Sequence, residues 1–176
     1  MKKRMGLALL AAVLSALPAV ATTVQYVPLA KSIDLSEVVA LGKVVQIESA
    51  YNAQGEIVTV VRLQVEEAFK GGLAAGEVLA FHAWGGRLDG VNVETVGEAR
   101  YSMGERVLVQ LERVGGEYHT LGLSFGKWNV RRDLAGSQIL QRSLGDLHLV
   151  DAPGVPVEQL PLNAMKLMVH QRLERE

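Results

Sequence analysis

The feature that most constrains the fold is a series of short, β-branched apolar runs separated by glycines between residues 57 and 130. Within residues 61–66, valine and leucine alternate strictly with arginine, glutamine and glutamate. Successive side chains of a β-strand point to opposite faces, so this alternation predicts a strand with one buried and one hydrated face. Residues 78–84 and 106–112 show similar strand patterns. The region therefore predicts an antiparallel sheet with glycine turns.

Neighbouring segments extend this sheet. Residues 38–48 are rich in β-branched side chains and favour a buried strand over a helix. Gly42 within this run predicts a bulge or bend, which would let a small sheet curl into a barrel. Residues 106–112 and 118–121 are joined by a turn containing Gly115-Gly116, the pattern of a β-hairpin.

Helices and a further hairpin are predicted toward the two ends. Residues 28–35 favour a short helix with proline in its first turn. Residues 138–144 and 147–150 predict a terminal hairpin that turns at Gly145-Asp146. After Pro161, apolar residues at helical spacing predict an amphipathic helix that covers an open end of the barrel. Its expected buried face comprises Leu162, Met165, Leu167, Met168 and Leu173.

The first 21 residues predict export. Lys2, Lys3 and Arg4 precede an apolar run at residues 5–17, and Ala-Val-Ala at 19–21 fits a cleavage site. We expect a cleavable signal peptide with cleavage after Ala21, and therefore a periplasmic or secreted protein. The alternative is an uncleaved membrane anchor, but the apolar run is shorter than the roughly 20 residues that a spanning helix needs. After cleavage we expect no stable membrane insertion.

Charge and cysteine content exclude several kinds of function. Removing residues 1–21 takes away three basic and no acidic residues, which moves the net charge from −1 to −4. This balance argues against a nucleic-acid partner. The chain has no cysteine, which excludes thiol catalysis and thiolate metal ligands. The predicted organisation is a signal peptide at 1–21, a barrel domain at 22–135, and a hairpin and helix at 136–176 packed on the barrel.

Residues with catalytic or metal-binding potential are scattered. His82 and His119 lie on predicted strands and could meet across the sheet, but a zinc site needs three or four converging ligands. Ser102 and Ser124 lack the sequence context of a nucleophile elbow. We therefore predict no catalytic residues, no metal ligands and no cofactor.

A binding surface is predicted in the longest irregular stretch of the central region, residues 85–100, which has four glycines and mixed charge. Loops on a rigid β scaffold often carry binding residues. The alternative is a solvated hairpin, because residues 88–96 have weak strand character. Aromatic residues cluster in the central region of the chain and could either form a stacking face or fill the core. The candidate partner-binding residues are Arg87, Asp89, Asn92, Glu94, Trp84 and Trp128.

The order of these segments resembles a known pattern. It runs from Val-Val-Ala-Leu-Gly-Lys-Val at 38–44, through Ile-Val-Thr-Val-Val-Arg-Leu-Gln-Val-Glu-Glu-Ala-Phe-Lys-Gly at 57–71 and Met-Gly-Glu-Arg-Val-Leu-Val-Gln-Leu at 103–111, to Gly-Lys-Trp-Asn-Val at 126–130. Over residues 28–130 the chain resembles a group of uncharacterised exported bacterial proteins. The strand plan is similar to the five-stranded barrel, of the oligonucleotide- or oligosaccharide-binding (OB) type, in netrin-type and metalloproteinase-inhibitor domains.

The resemblance implies a mainly β fold, a small antiparallel OB-like β-barrel with a short N-terminal helix and a C-terminal amphipathic helix. It also implies a co-exported protease as the first partner to test. The animal inhibitors chelate the protease zinc through an N-terminal cysteine, which this chain lacks; only the α-amino group of Thr22 would be offered. We predict a non-enzymatic module that binds a protein partner. The alternatives are a small-ligand or glycan binder using Trp84, Tyr118 and Trp128, or a hydrolase of unrecognised type.

Overall fold

A computed structural model describes residues 22–144, 147–152 and 156–175. The predicted signal peptide and the predicted turn at Gly145-Asp146 lie outside the described residues. Strands predominate over helices, which confirms the mainly β class. The elements in chain order are β1 (Thr22–Gln25), α1 (Leu29–Leu35), β2 (Val38–Tyr51), β3 (Ile57–Lys70), β4 (Val78–Leu88), β5 (Val91–Glu94), β6 (Arg106–Val114), β7 (Glu117–Thr120), β8 (Lys127–Arg132), β9 (Gln138–Gln141), β10 (Leu147–Val150), β11 (Gln159–Pro161) and α2 (Leu162–Leu173).

The main sheet has β2 at its centre. Strand β2 pairs antiparallel with β3 on one side and with β6 on the other. From β3 the sheet continues to β4 and β5, and from β6 it continues to β8, β9 and β11. Strand β7 pairs antiparallel with β6 and also meets β4 in parallel, where His82 lies opposite His119. Hydrogen-bonded pairing can therefore be followed from β6 through β2, β3, β4 and β7 back to β6.

Strands β2 and β6 separate two hydrophobic clusters. Alternate residues of each strand point into different clusters, so both faces of these strands are apolar. In β6, Val107, Val109 and Leu111 face the side chains of β3 and β4, whereas Leu108 faces α1, α2 and Trp128. Strand β3 has one buried face at Val61, Leu63 and Val65, as its alternation predicted. A continuous apolar run thus marks a strand buried on both sides.

Gly42 lies where β2 bends. The register between β2 and β3 shifts between Leu41 and Gly42, which confirms the predicted bulge. A Cβ atom at this position would lie 2.4 Å from the backbone oxygen of Gln64, too close for any other residue. The glycine therefore allows the two backbones to approach where the long strand curves.

A buried polar network joins α1 to the sheet. The side chain of Gln110 on β6 is fully buried. Its Nε2 donates to Ser32 Oγ at 3.0 Å, and its Oε1 accepts from the indole Nε1 of Trp128 at 3.0 Å. The Ser32 hydroxyl in turn donates to the backbone oxygen of Leu29 at 2.8 Å. These bonds connect α1, β6 and β8 within a largely apolar layer.

The C-terminal helix exists as predicted but turns a different face to the protein. Its buried residues are Leu162, Met165 and Val169, and they pack with α1, β9 and β11. Leu167 and Leu173, which we expected on the buried face, are exposed. The stretch 165–169 is apolar at four of its five positions, so spacing alone did not identify the inward side.

The predicted terminal hairpin is wrong. Strand β9 pairs antiparallel with β8 and β11, whereas β10 pairs in parallel with β1 at the start of the described chain. The two segments therefore join different sheets. Strand β9 instead forms a hairpin with β8 through residues 133–137, whereas β10 has its partner at the other end of the described chain. A search for local turns cannot detect the second pairing.

We expect Gln110→Leu to lower the free energy of unfolding by about 1–3 kcal/mol. The change keeps a similar volume but leaves the buried indole N–H of Trp128 without its acceptor. Urea unfolding of a protein comprising residues 22–176 measures the effect. Gln64→Leu, on the exposed face of β3, is the control and should stay within about 0.5 kcal/mol of the wild type. Equal stability of the Gln110→Leu and Gln64→Leu variants would contradict a structural role for the network.

Candidate functional site

The predicted binding segment is mainly a β-hairpin. Strand β4 continues through Gly85 and Gly86 to Leu88, and β5 pairs back along it. Asp89 and Gly90 form the connecting turn with φ angles of 51° and 81°. Two positive φ values fit a type I′ turn, for which Asp-Gly is a preferred sequence. The hairpin alternative is therefore confirmed for residues 85–94, and the irregular part is confined to residues 95–105.

Four of the predicted partner-binding residues lie on this hairpin. Arg87, Asp89, Asn92 and Glu94 are all exposed. Glu94 accepts a hydrogen bond from Arg100 at 2.8 Å, and both side chains are largely in solvent. Exposed ion pairs of this kind contribute little to stability. Because both side chains lie largely in solvent, their charges are accessible to a partner.

The two tryptophans have different roles. Trp128 is fully buried and its indole donates to Gln110, so its prediction as a partner-binding residue is corrected: it belongs to the core. Trp84 is half-buried and stacks on the His119 ring with centroids 4.3 Å apart. The Arg113 guanidinium lies over the ring of Tyr118 at 4.2 Å. The three aromatic residues considered for ligand stacking therefore do not form one open face.

Strand β5 is the last strand of its side of the sheet. All four of its residues are exposed, and no described strand pairs with its outer edge. Val91 and Val93 are 50% and 40% exposed. They line a cleft of about 520 Å³ together with Tyr51, Ile57 and Trp84. An unpaired edge beside apolar side chains is a surface on which another strand can form.

A second cleft, of about 380 Å³, lies beside the hairpin and extends to residues 98–101. Glu98 is the charged residue of this cleft with the most altered environment. Its Oε1 accepts from the backbone N–H of Ala99 at 2.9 Å, whereas its Oε2 is buried and has no hydrogen-bond partner among the described residues. Burial raises the pKa of Glu98 to about 7, against the opposing effect of backbone hydrogen bonds at Ala99 and Trp84. Sequence pattern did not identify Glu98 as a candidate residue, because its burial depends on tertiary packing.

Three potential metal ligands meet near Trp84. His82 on β4 and Glu117 and His119 on β7 each offer a ligand atom, and these atoms lie within 4.8 Å of one another. His82 Nδ1 lies 3.0 Å from a carboxylate oxygen of Glu117. The two histidine rings are 5.4 Å apart in an edge-to-face arrangement. The prediction of no metal ligands considered this histidine pair but overlooked Glu117, although the Glu-x-His spacing places both side chains on one face of a strand.

His119 is the buried member of the cluster. It is 2% exposed, and burial together with the neighbouring His82 lowers its pKa. The carboxylates of Glu117 and Glu56 oppose this shift. The lowered pKa favours the neutral imidazole, the form that can donate a lone pair to a metal ion.

Comparison with known proteins gave no assignment. No protein-family model matches the chain, and no curated protein matches it significantly. Among the described residues, neither helix has the length and apolar character needed to cross a membrane.

We expect the contribution of Glu98 to the stability of the protein to fall as pH rises from about 4.5 to about 7. The folded carboxyl group of Glu98 keeps its proton up to about pH 7, whereas the unfolded one loses it near 4.5. The folded state binds more protons in this window, so raising the pH favours unfolding by up to about 3 kcal/mol. Glu98→Gln should remove this contribution and be the more stable protein above pH 7.

Urea unfolding at several pH values measures the Glu98 contribution. Glu94→Gln is the control, because that carboxylate is exposed and should leave the pH profile unchanged. If Glu98→Gln and the wild type lost the same stability between pH 4.5 and 7, the altered pKa of Glu98 would be wrong.

Proposed function

We propose that this protein is an exported, non-enzymatic module that binds an extended segment of a protein partner along the β4–β5 hairpin. The observation that carries the proposal is strand β5, an exposed edge strand whose valines line an apolar cleft. Export is proposed from the N-terminal basic, apolar and small-residue pattern of residues 1–21.

We further propose that the scaffold is an OB-like barrel. The support is the circuit of pairings through β6, β2, β3, β4 and β7. Its contact between β4 and β7 is parallel, whereas the other four contacts are antiparallel. In such a scaffold the β4–β5 hairpin projects from the rim as an extension of β4, where a partner can reach it.

The backbone of β5 determines how a partner would bind. Leu88 and Val91 flank a two-residue turn and therefore form a hydrogen-bonded pair. Because hydrogen bonding alternates along an antiparallel pair, the backbone groups of Asn92 and Glu94 point away from β4. A partner strand can pair with these groups, and its alternate side chains can contact Val91 and Val93.

The chemistry of the surface indicates the kind of segment that fits. Apolar residues at alternate positions of the partner would bury the exposed parts of Val91 and Val93. Arg87, Asp89 and Glu94 supply charges of both signs around the hairpin, so they favour a specific arrangement of opposite charges over a uniformly charged partner. A co-exported protease is the partner class that we would test first.

The test is affinity capture from the exported fraction of the source cells, with the mature chain from Thr22 as bait. We expect a retained protein that is lost with the double variant Val91→Lys/Val93→Lys, because two charges would have to be desolvated beside the partner strand. Amide hydrogen exchange of the purified complex should show slowed exchange at Asn92 and Glu94.

Val78→Lys is the matched control, because Val78 is 51% exposed on β4 but lies at the opposite end of that strand. It should retain the partner as the wild type does. Retention by all three baits, or no slowing of exchange in β5, would contradict docking on this edge. Thermal unfolding of each bait shows that loss of binding does not reflect loss of the fold.

Small-ligand or glycan binding is a second candidate, favoured by the cleft of about 380 Å³ beside the hairpin. Trp84 lines this cleft, and Trp128 is buried, so ligand-dependent quenching of tryptophan fluorescence would report on Trp84. Saturable quenching by an oligosaccharide, unaffected by Val91→Lys/Val93→Lys, would favour this candidate over the protein partner.

A further inference from the structure

The pairing of β4 with β7 places three ligand-type side chains on one face of the sheet. His82 and His119 lie opposite each other on parallel neighbouring strands. Side chains at such a position point to the same face, about 4.7–4.9 Å apart at the backbone. Glu117 precedes His119 by two residues and therefore shares that face. The convergence of the three groups is a consequence of strand register rather than of flexible side-chain placement.

The distances within this cluster suit one metal ion. Two ligand atoms bound to a tetrahedral zinc at about 2.0–2.1 Å lie about 3.3 Å apart. His82 Nδ1 and Glu117 Oε2 are 3.0 Å apart, and the ligand atoms of all three residues lie within 4.8 Å of one another. Small rotations of the half-exposed Glu117 side chain can bring the set to bonding distance.

The hydrogen bonding of the two imidazoles is compatible with binding of a cation. Among the described residues, neither His82 Nδ1 nor His119 Nδ1 has a hydrogen-bond partner, although both atoms are buried. The contact between His82 and Glu117 is short, but the carboxylate lies off the direction in which a ring N–H would donate. Buried polar atoms in proteins are almost always satisfied, so two such nitrogens beside a carboxylate require an explanation.

We propose that His82, Glu117 and His119 bind a single divalent transition-metal ion of the zinc type. Two imidazoles and one carboxylate suit Zn²⁺ and its neighbours, whereas Ca²⁺ and Mg²⁺ prefer oxygen ligands. Stacking on Trp84 holds the His119 ring in place, which lowers the cost of ordering this ligand. Three protein ligands leave a fourth coordination position for water or another donor.

The competing interpretation is an ordinary ion pair between His82 and Glu117 with no role for a metal. A second histidine–glutamate pair in the same protein can be compared with this one. His170 and Glu174 on the exposed side of the C-terminal region form a similar pair, with Nε2 and the carboxylate 3.1 Å apart. If His82 and Glu117 formed only an ion pair, the two histidine–glutamate pairs would respond to zinc in the same way. A metal site would involve only the cluster of His82, Glu117 and His119.

The test is calorimetric titration of the untagged, chelator-treated mature chain with zinc chloride. We expect one ion per chain, with a Kd in the micromolar range or tighter. Glu117→Gln and His82→Gln should each weaken binding at least about tenfold. The midpoint temperature of thermal unfolding of the wild type should rise by about 5–10 °C when the free zinc concentration is about a hundred times the Kd. Cobalt should give the visible absorption of a low-symmetry, four-coordinate site.

His170→Gln and Glu174→Gln are the matched controls and should bind zinc as the wild type does. Calcium and magnesium should neither bind saturably nor compete. The proposal is overturned if the wild type shows no saturable binding, if Glu117→Gln and His82→Gln bind as the wild type does, or if the controls lose the ion equally. Glu117 is half-exposed, so we expect Glu117→Gln to fold. Its affinity for zinc therefore tests the proposal even if a histidine variant fails to fold.

Discussion

The fold depends on how β6 is fixed between two apolar layers, and the buried side chain of Gln110 provides the directional part of that attachment. Apolar contacts alone tolerate sliding, whereas the bonds from Gln110 to Ser32 and from Trp128 to Gln110 each require one geometry. They set α1 and β8 relative to β6. Because the amide is fully buried, an arrangement that leaves its partners unsatisfied is costly. The network therefore selects one packing of the helical layer on the sheet.

The position of β6 has consequences on the other side of the sheet. Strand β7 is only four residues long and is held by its pairing with β6 and by a single parallel contact with β4. A shift of β7 by one residue would turn Glu117 and His119 to the opposite face, since strand side chains alternate. The turn at Gly115-Gly116 helps to prevent such a shift, because both glycines have positive φ values. The positions of Glu117 and His119 beside His82 thus depend on the register with which β7 pairs with β6 and β4.

Local pattern was enough to predict the central strands β2, β3, β4 and β6, because alternation in β3 and the apolar runs in β2 and β6 report burial directly. It did not predict β11, and it indicated β5 only as weak strand character. The Asp89-Gly90 turn was also visible in the sequence, and it supports the hairpin that the weak strand character of residues 88–96 indicated. Pairing between distant segments was not predictable, as the parallel contact of β10 with β1 shows. Arg142 is a similar case: it is 2% exposed and its guanidinium lies 4.2 Å from the Trp128 ring, yet an arginine in isolation predicts a surface position.

Trp84 lies where the two proposed activities come closest. One face of its ring stacks on His119, and the same side chain lines the cleft beside Val91 and Val93. The two proposals nevertheless rest on different atoms, since a metal ion needs the imidazoles and a carboxylate whereas a partner strand needs the backbone edge of β5. A metal bound by His119 would restrain the ring against which Trp84 stacks, and a partner on β5 would cover its other neighbours. Any coupling between the two ligands would be reciprocal, and both Trp84 and strand β4 are shared by the two sites.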